Sequence, residues 1–257
     1  MSPGGACAPA ASATHIVLIP SYNTGRLLGE TVRAARRHWN PVWVVIDGST
    51  DASAALVQAM ALTDPGLRVL VLAQNSGKGA AVLHGLRAAR AAGFTHALTM
   101  DADGQHPAGQ IGRFMAASAA APDAAVLCRP VFDASAPMLR VQGRRVSNFW
   151  ANLETGWAGI GDSLSGLRVY PIGPLIGVMG ETRWMRRFDF DPEAAVRLAW
   201  RGVRLVNLDA PVRYLDAAAG GVSQFRYGRD NLLLSWMHAR LMLGLARRLP
   251  GLLRRRK

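Results

Sequence analysis

Short apolar runs alternate with helix-length segments along the first half of the chain. Each apolar run is bounded by turn residues, which is typical of strands buried within a sheet. Alanine and leucine dominate the segments between the runs and suit a helix. The runs predict strands at residues 15–20, 41–47, 67–73, 95–101 and 123–128, and the segments predict helices at 26–39, 53–61, 78–92 and 108–119.

This alternation predicts an α/β, Rossmann-like domain with a mostly parallel sheet and helices on both faces. Ligands of such sheets bind in a crevice at the carboxyl ends of the strands. After residue 128 the alternation loosens, and no internal repeat or clear linker divides the chain. We therefore expect one domain over residues 14–227, in which a second half at 129–227 is added to the sheet begun by 14–128.

Composition narrows the class of protein. Half of the 257 residues are hydrophobic, which is enough to bury a sizeable core. Cys7 and Cys128 are too few for a disulfide framework, which favours a reducing compartment. Residues 1–13 lack the basic start and apolar run of a signal peptide, so we expect a disordered tail. Together these features predict a cytoplasmic protein.

The formal charge of +13 indicates nucleic acid or an anionic membrane as a partner. Seven of the 30 basic residues lie in the final 18 positions, and no acid follows Asp230. No nucleic-acid-binding motif is recognisable, so nucleic acid is not the expected partner.

The C-terminal segment adds to the case for a membrane. Residues 231–249 are rich in leucine and methionine, but His238 and Arg240 interrupt them, and they fall short of the ~20 apolar residues that span a bilayer. Residues 228–257 therefore predict an amphipathic helix and a basic tail that bind anionic lipid at the inner face of the cell membrane. The alternative is a helix packed on the domain with a solvated tail.

Polar clusters follow four of the predicted strands. They read PSYN at 20–23, DGSTD at 47–51, NSGKG at 75–79 and DADGQH at 101–106. Turns and helix caps explain any one cluster. Four clusters at one edge of a parallel sheet are better explained by a shared site.

Asp101 and Asp103 are two residues apart, so in extended chain both carboxylates point to one side. Unpaired, they would repel one another, and Mg²⁺ or Mn²⁺ would remove that repulsion. Gln105 follows on the same side and could supply a further oxygen. The predicted metal site is therefore Asp101, Asp103 and Gln105. His106 either joins it or caps the helix after Pro107.

The tracts VVIDGSTD, NSGKGAAV and DADGQHP look like the nucleotide-sugar domain of family 2 glycosyltransferases, which have the GT-A fold. Among these the chain most resembles the polyprenyl-phosphate sugar synthases, such as dolichyl-phosphate mannosyltransferase. Arg129, the tract RRVS at 144–147 and the tract DSLSGLRVY at 162–170 also fit. The resemblance spans roughly residues 14–225.

The resemblance implies that Pro20, Tyr22 and Asp47 hold the nucleoside, with Asp47 accepting hydrogen bonds from the base. It further implies that the tract from Asp101 through Ala102 to Gln105 surrounds the metal and the diphosphate. Two departures leave the identity of the base open. Ile46 replaces the first of two aspartates that the family usually has before Gly-Ser, and Thr24 stands where an acid commonly follows Tyr-Asn.

Transfer of a sugar from a nucleoside diphosphate leaves negative charge on the departing group. A metal held by Asp103 would stabilise that charge as a Lewis acid. Lys78, Arg129 and other arginines could add positive charge or clamp the acceptor, although a solvated lysine at a helix start is the alternative for Lys78.

The acceptor side offers two interpretations. Glu193 stands where the family carries an acid near the acceptor, so it is the candidate general base for an alcohol. Asp191 and Pro192 predict the cap and first residue of a helix at 192–201. A lipid-phosphate acceptor needs no base, and then four arginines become the candidates for bidentate phosphate contacts. They are Arg129, Arg144, Arg145 and, most strongly, Arg168.

The expected activity is metal-dependent, inverting sugar transfer from a nucleoside-diphosphate sugar to a polyprenyl phosphate or another membrane-associated lipid or glycan. Inversion follows from the family. A nucleotidyltransferase with a similar metal–diphosphate site and a basic nucleic-acid-binding protein are the alternatives.

Overall fold

The computed structural model describes residues 9–132, 136, 138–212 and 227–254. Its strands are β1 His15–Ser21, β2 Val42–Asp47, β3 Leu67–Leu72, β4 His96–Thr99, β5 Ala124–Phe132, β6 Arg168–Pro171 and β7 Arg204–Val212. Its helices are α1 Arg26–His38, α2 Ser53–Ala61, α3 Lys78–Ala91, α4 Ile111–Ala120, α5 Met138–Glu154, α6 Ile172–Gly180, α7 Phe190–Trp200 and α8 Tyr227–Arg254. A 3₁₀ turn at Ala108–Gln110 precedes α4.

All the strands belong to one sheet, in the order β3-β2-β1-β4-β6-β5-β7. β1 pairs in parallel with β2 and with β4, so the strand order reverses between β1 and β4. β6 runs antiparallel to β4 and β5, and β7 is parallel to β5. The reversal opens a crevice at the carboxyl ends of β1 and β4, where ligands of such sheets bind.

Helices cover both faces of the sheet, so the predicted α/β architecture is confirmed. Ile16 and Leu18 of β1 pack into the core beneath α3, α6 and α7, while Val17 and Ile19 pack into the core beneath α1 and α4. Successive residues of a strand point to opposite faces, which is why a continuous apolar run serves both cores.

The predicted elements need only local corrections. β4 ends at Thr99, before the aspartates, and the start of the predicted helix at 108–119 is a 3₁₀ turn. The helix predicted at 192–201 begins at Phe190, with Asp189 as its N-cap residue. Asp191 lies inside the helix and is therefore not its N-cap residue, and the Asp189 carboxylate accepts hydrogen bonds from the backbone N–H groups of Met185 and Arg187 before the helix.

The predicted amphipathic helix is present as α8, and it packs against α5 and α7. Met237 and Leu241 are buried on its inner side. No helix within the described ranges has the length and apolar content needed to cross a bilayer. Residues 1–8 of the predicted tail and the final residues 255–257 lie outside the described residues.

Two imidazoles stack where β1 and β4 begin. The rings of His15 and His96 lie 4.4 Å apart, inclined by 8°. Nε2 of His15 lies 3.2 Å from Oγ of Ser118. Burial, followed by the nearby His96, lowers the pKa of His15 from 6.5 to about 4. His15 is therefore neutral in the folded protein at pH 7.

We expect the protein to lose stability as the pH falls from 6.5 towards 4. Over that range His15 takes up a proton in the unfolded chain but not in the folded one, so unfolding becomes easier. The loss from this residue is on the order of 3 kcal/mol. Urea unfolding of His15→Gln at several pH values should show a smaller acid loss than the wild type. The control His84→Gln alters an exposed histidine and should keep the wild-type profile; identical profiles for all proteins would contradict this role of His15.

Candidate active site

A cavity of about 1070 Å³ opens at the carboxyl ends of β1, β2 and β4. The polar clusters form one wall, and α5 and α8 form the opposite wall. The lining residues from the clusters are Pro20, Ser21, Tyr22, Asp47, Asn75, Gly77, Lys78, Asp101, Ala102, Asp103 and Gln105. The structure thus brings the four clusters together at the strand ends.

Hydrogen bonds between the loops fix the nucleoside side of this wall. The Asp47 carboxylate accepts from the backbone N–H of Ser76 at 2.8 Å and of Gly77 at 2.7 Å. A carboxylate has further lone pairs, so Asp47 can anchor this loop and still accept another hydrogen bond. Ala102 is held to α1, because its carbonyl accepts a hydrogen bond from Thr31.

The two departures from the family pattern have clear locations. Ile46 is buried in the core and does not line the cavity. Thr24 lines the cavity, and its hydroxyl lies 2.9 Å from that of Ser21.

Lys78 bridges two carboxylates on the cavity floor. Its Nζ lies 2.6 Å from Oδ1 of Asp101 and 2.6 Å from Oδ2 of Asp191. Asp101 follows β4, and Asp191 lies in the first turn of α7, so the lysine joins the sheet to that helix. Gly166 leaves room for this arrangement, because a Cβ atom there would lie 2.1 Å from Oδ2 of Asp101.

The charges of this group depend on one another. Burial opposes the charged form of Lys78, but the two carboxylates raise its pKa above the usual range. Burial also opposes ionisation of Asp101, yet the Lys78 ammonium holds its pKa below the usual range. Burial raises the pKa of Asp191 in spite of the same ammonium. One cation is therefore shared by two carboxylates at equal distance, of which Asp101 is the more exposed.

Asp103 lies beside this group without a cation of its own among the described contacts. It accepts a hydrogen bond from the backbone N–H of Gln105 at 3.0 Å. Burial and the charge of Asp101 raise the pKa of Asp103 to about 6. His106 is buried with Nε2 3.9 Å from Asp101, and burial lowers its pKa to about 4, so it is neutral at pH 7.

These oxygen atoms suit a hard divalent cation, which would relieve the repulsion between Asp101 and Asp103. Within the described ranges, no group of three or more His, Cys, Asp or Glu side chains is arranged to hold a metal ion. The predicted set offers two carboxylates and the Gln105 amide. A metal held there would complete its coordination with water and ligand oxygens, as Mg²⁺ commonly does.

The structure corrects the prediction that Arg168 contacts phosphate. This guanidinium is fully buried and is not among the residues lining the cavity. It donates hydrogen bonds to the hydroxyl of Tyr170 at 3.1 Å and to the carbonyl oxygens of Asp191 and Asp162 at 2.5 and 3.1 Å. Arg168 therefore has a structural role: its hydrogen bonds connect β6 to the first turn of α7.

Glu193 also needs correction as the candidate general base. Its carboxylate is fully buried and pairs with Arg197 at 2.7 Å and with Arg240 of α8 at 3.1 Å. Both oxygens face the packing between α7 and α8 rather than the cavity. In this arrangement Glu193 joins two helices and does not reach an acceptor.

Arg129 lies outside the cavity as well. Its side chain is 58% exposed and pairs with Asp209 on the adjacent strand β7. Arg129 lies within β5 rather than after it, in the part of the strand that extends with β7 beyond the pairing with β6. Arg145 is exposed and does not line the cavity either.

Of the four predicted arginines only Arg144 lines the cavity, together with cationic and polar groups that were not predicted. Arg144 lines the cavity and is held by Asp162 at 2.7 Å, and Arg187 and Arg229 also face it. His238 of α8 lines the opposite wall, with Nδ1 2.7 Å from Oε1 of Glu154. Sequence reasoning missed Arg187, Arg229, His238 and the role of Asp191, although the apolar periodicity of α8 indicated a helix with one face to bury.

Comparisons with known proteins now add to this geometry. Residues 16–189 match Glycosyl transferase family 2. The chain is 30% identical over 161 residues to polyprenol monophosphomannose synthase of Mycolicibacterium smegmatis, and the match spans 60% of each protein. It is 25% identical over 253 residues to undecaprenyl-phosphate mannosyltransferase of Micrococcus luteus, covering 90% of this chain and 99% of that protein.

Solved structures share the fold. Glucosyl-3-phosphoglycerate synthase from Mycobacterium tuberculosis, in complex with UDP, superposes with a TM-score of 0.62 at 15% identity, covering 90% of this chain and 79% of that one. The same enzyme in complex with Mn²⁺ and UDP-glucose gives a TM-score of 0.61 at 14% identity, covering 92% and 84%. At such identities the likeness concerns the fold.

Replacing Lys78 with Met should destabilise the protein by about 3 kcal/mol, because Asp101 and Asp191 would remain in a buried site without their cation. The double variant Lys78→Met/Asp191→Asn should be more stable than the sum of the two single changes indicates. Urea unfolding measures both effects. Additive changes, or a Lys78→Met variant as stable as the wild type, would show that the bridge does not hold the site.

Proposed function

The chain belongs to glycosyl transferase family 2 and is a glycosyltransferase, and we propose that it moves a sugar from a nucleoside diphosphate to a polyprenyl phosphate. One observation carries the proposal. The cavity joins a polar section at the strand ends to a section walled by α5 and α8, whose lining combines apolar side chains with arginines and other polar groups. The family favours sugar transfer over nucleotidyl transfer and over nucleic-acid binding.

The donor fits the polar section. Pro20, Tyr22 and Asp47 line the part where the loops after β1 and β2 meet, which suits a nucleoside. Asp101, Asp103 and Gln105 would hold Mg²⁺ or Mn²⁺ against the diphosphate, and the ion would supply positive charge to the departing nucleoside diphosphate. The related fold crystallised with Mn²⁺ and UDP-glucose supports this arrangement. Lys78 adds a fixed positive charge at the same end.

The acceptor fits the opposite section. Val146, Trp150 and Leu164 and, on α8, Leu234 and Met242 give it an apolar lining suited to a polyprenyl chain. Arg144 and Arg229, which also line this section, would bind the phosphate, whereas Arg187 lies beside Gly77 on the donor side. The two relatives that are named for polyprenol and undecaprenyl phosphate support such an acceptor.

A phosphate acceptor also agrees with the distribution of acids. Among the described lining residues, every carboxylate lies on the donor side, at Asp47, Asp101, Asp103 and Asp191. An alcohol acceptor needs a general base, and among the described lining residues on this side only the His238 imidazole offers one, whereas a phosphate is already ionised. In the proposed reaction a phosphate oxygen attacks the anomeric carbon as the bond to the diphosphate breaks. Direct displacement inverts the configuration at that carbon.

Since polyprenyl phosphates reside in membranes, we propose that the protein works at the inner face of the cell membrane, bound to its surface. The alternative acceptor is another membrane-associated lipid or glycan.

Transfer should depend on Asp103. Purified protein is incubated with Mn²⁺, a short-chain isoprenyl phosphate in detergent, and sugars of UDP, GDP, CDP, dTDP or ADP in turn. One donor should yield a sugar-phosphate lipid and free nucleoside diphosphate, and Asp103→Asn should lower the rate at least about 100-fold if the metal supplies several kcal/mol. The control Asp209→Asn alters an exposed carboxylate outside the cavity. Release of pyrophosphate, or full activity of Asp103→Asn, would contradict the proposal.

The neighbouring arginines Arg144 and Arg145 offer a matched test of the acceptor site. Arg144→Gln should raise KM for the isoprenyl phosphate about tenfold, because a charge-assisted hydrogen bond contributes roughly 1.5–3 kcal/mol, with little change in KM for the donor. Arg145→Gln, whose side chain does not line the cavity, should leave both values unchanged. Equal effects of the two substitutions, or a change confined to the donor, would exclude Arg144 from acceptor binding.

A further inference from the structure

Exposed apolar side chains concentrate on the outer walls of the cavity. Among the described residues, every strongly exposed large apolar side chain except Leu62, Val71 and Val131 lies on α5, on α8 or in the turn after α5. We name six of them the α5–α8 face: Phe149, Trp150, Trp157, Leu232, Trp236 and Leu243. Patches of this kind mark sites of interaction with a protein or a membrane.

The aromatic part of the face is continuous and reaches the cavity. The ring of Phe149 lies 5.8 Å from that of Trp150 and 5.9 Å from that of Trp157, in edge-to-face contacts. Trp150 lines the cavity and lies 6.4 Å from the ring of His238 on α8. The aromatic cluster therefore borders the section of the cavity that we assign to the acceptor.

α8, which packs against α5, carries exposed apolar side chains of its own. Leu232, Trp236 and Leu243 recur at helical spacing, while Met237 and Leu241 occupy the opposite side and are buried in the core. The inner side is thus already satisfied by packing. The exposed side chains of the outer side can therefore contact a binding partner.

The charges on α5 and α8 favour an anionic lipid surface over a second copy of the protein as the partner. Glu154 and Asp230 are the only acids within α5 and α8, and both are fully buried. Arg145, Arg229 and Arg247 are exposed on the same two helices, and Arg229 pairs with Asp230 at 3.1 Å. A second copy of this surface would bring like charges together, whereas anionic lipid headgroups would meet the arginines. Tryptophan also favours the boundary between headgroups and acyl chains.

We propose that the α5–α8 face docks on an anionic bilayer, so that the acceptor section of the cavity opens against the lipid headgroups. The acceptor's identity in this statement rests on the proposed function, but binding of the face to lipid does not. In this orientation a lipid phosphate enters the cavity while its hydrocarbon chain stays in or beside the membrane.

The test measures binding of the full-length protein to vesicles without any sugar donor. One set of vesicles contains phosphatidylcholine alone, and the other contains equal parts of phosphatidylcholine and phosphatidylglycerol. Phe149→Ser and Trp236→Ser change face residues that do not line the cavity, and Leu62→Ser changes a residue that is 87% exposed at the end of α2. Melting temperatures establish that all variants fold.

The wild type and Leu62→Ser should bind the anionic vesicles and release them at high salt. The double variant Phe149→Ser/Trp236→Ser should need at least about ten times more lipid for half-binding, since it loses the burial of two large apolar side chains. No binding of the wild type, or equal losses in Leu62→Ser, would overturn the proposal. So would a dimer in solution that the double variant dissociates, because the face would then bind a second copy.

Sugar transfer to a short isoprenyl phosphate in detergent separates this proposal from the proposed function. The double variant should keep that activity. A wild type that transfers sugar without binding vesicles would refute the docking face alone. One that binds vesicles through the face but transfers no sugar would refute the proposed function alone.

Discussion

A single buried ammonium group holds the site together. Lys78 contacts both Asp101 and Asp191, and two carboxylates could not stay ionised so close together in a buried setting without a cation between them. The lysine begins α3, Asp101 follows β4, and Asp191 lies in the first turn of α7. Arg168 reinforces the same junction by donating to the backbone of Asp191. This network fixes the position of α7. The ion pair between Glu193 and Arg240 extends it to α8.

The sequence predicted the sheet well, and the polar clusters that it singled out line one cavity. Carboxyl ends of parallel strands converge at one edge, so four polar clusters placed after four strands had to lie near one another. It did less well with residues whose role depends on which elements pack together. Asp191 fits a helix cap in the sequence, but Asp189 takes that place and frees Asp191 to meet a lysine more than a hundred positions earlier.

Three charged residues illustrate why the rest could not be predicted. They are Glu193, Arg168 and Arg129, which lie where the family pattern predicts functional residues. Glu193 is buried in an ion pair with Arg240, and Arg168 is buried among its hydrogen-bond partners. Arg129 pairs with Asp209 at the surface. Each outcome depends on a partner supplied by α8, α7 or β7. For α8 the sequence left two alternatives, a packed helix and a membrane-binding one. One side of α8 is buried against the domain and the other carries exposed apolar side chains. The same helix can therefore pack on the domain and bind a membrane.

The central claim is that the strand-end cavity binds a nucleoside diphosphate through a divalent cation. The most direct measurement is the melting temperature of the purified protein with each nucleoside diphosphate, with and without Mn²⁺, because a ligand that binds only the folded state stabilises it. We expect one nucleoside diphosphate to raise the melting temperature in the presence of Mn²⁺ only, and Asp103→Ala to abolish the rise. A well-folded protein that shows no rise with any of them, or the same rise without Mn²⁺, would contradict the claim.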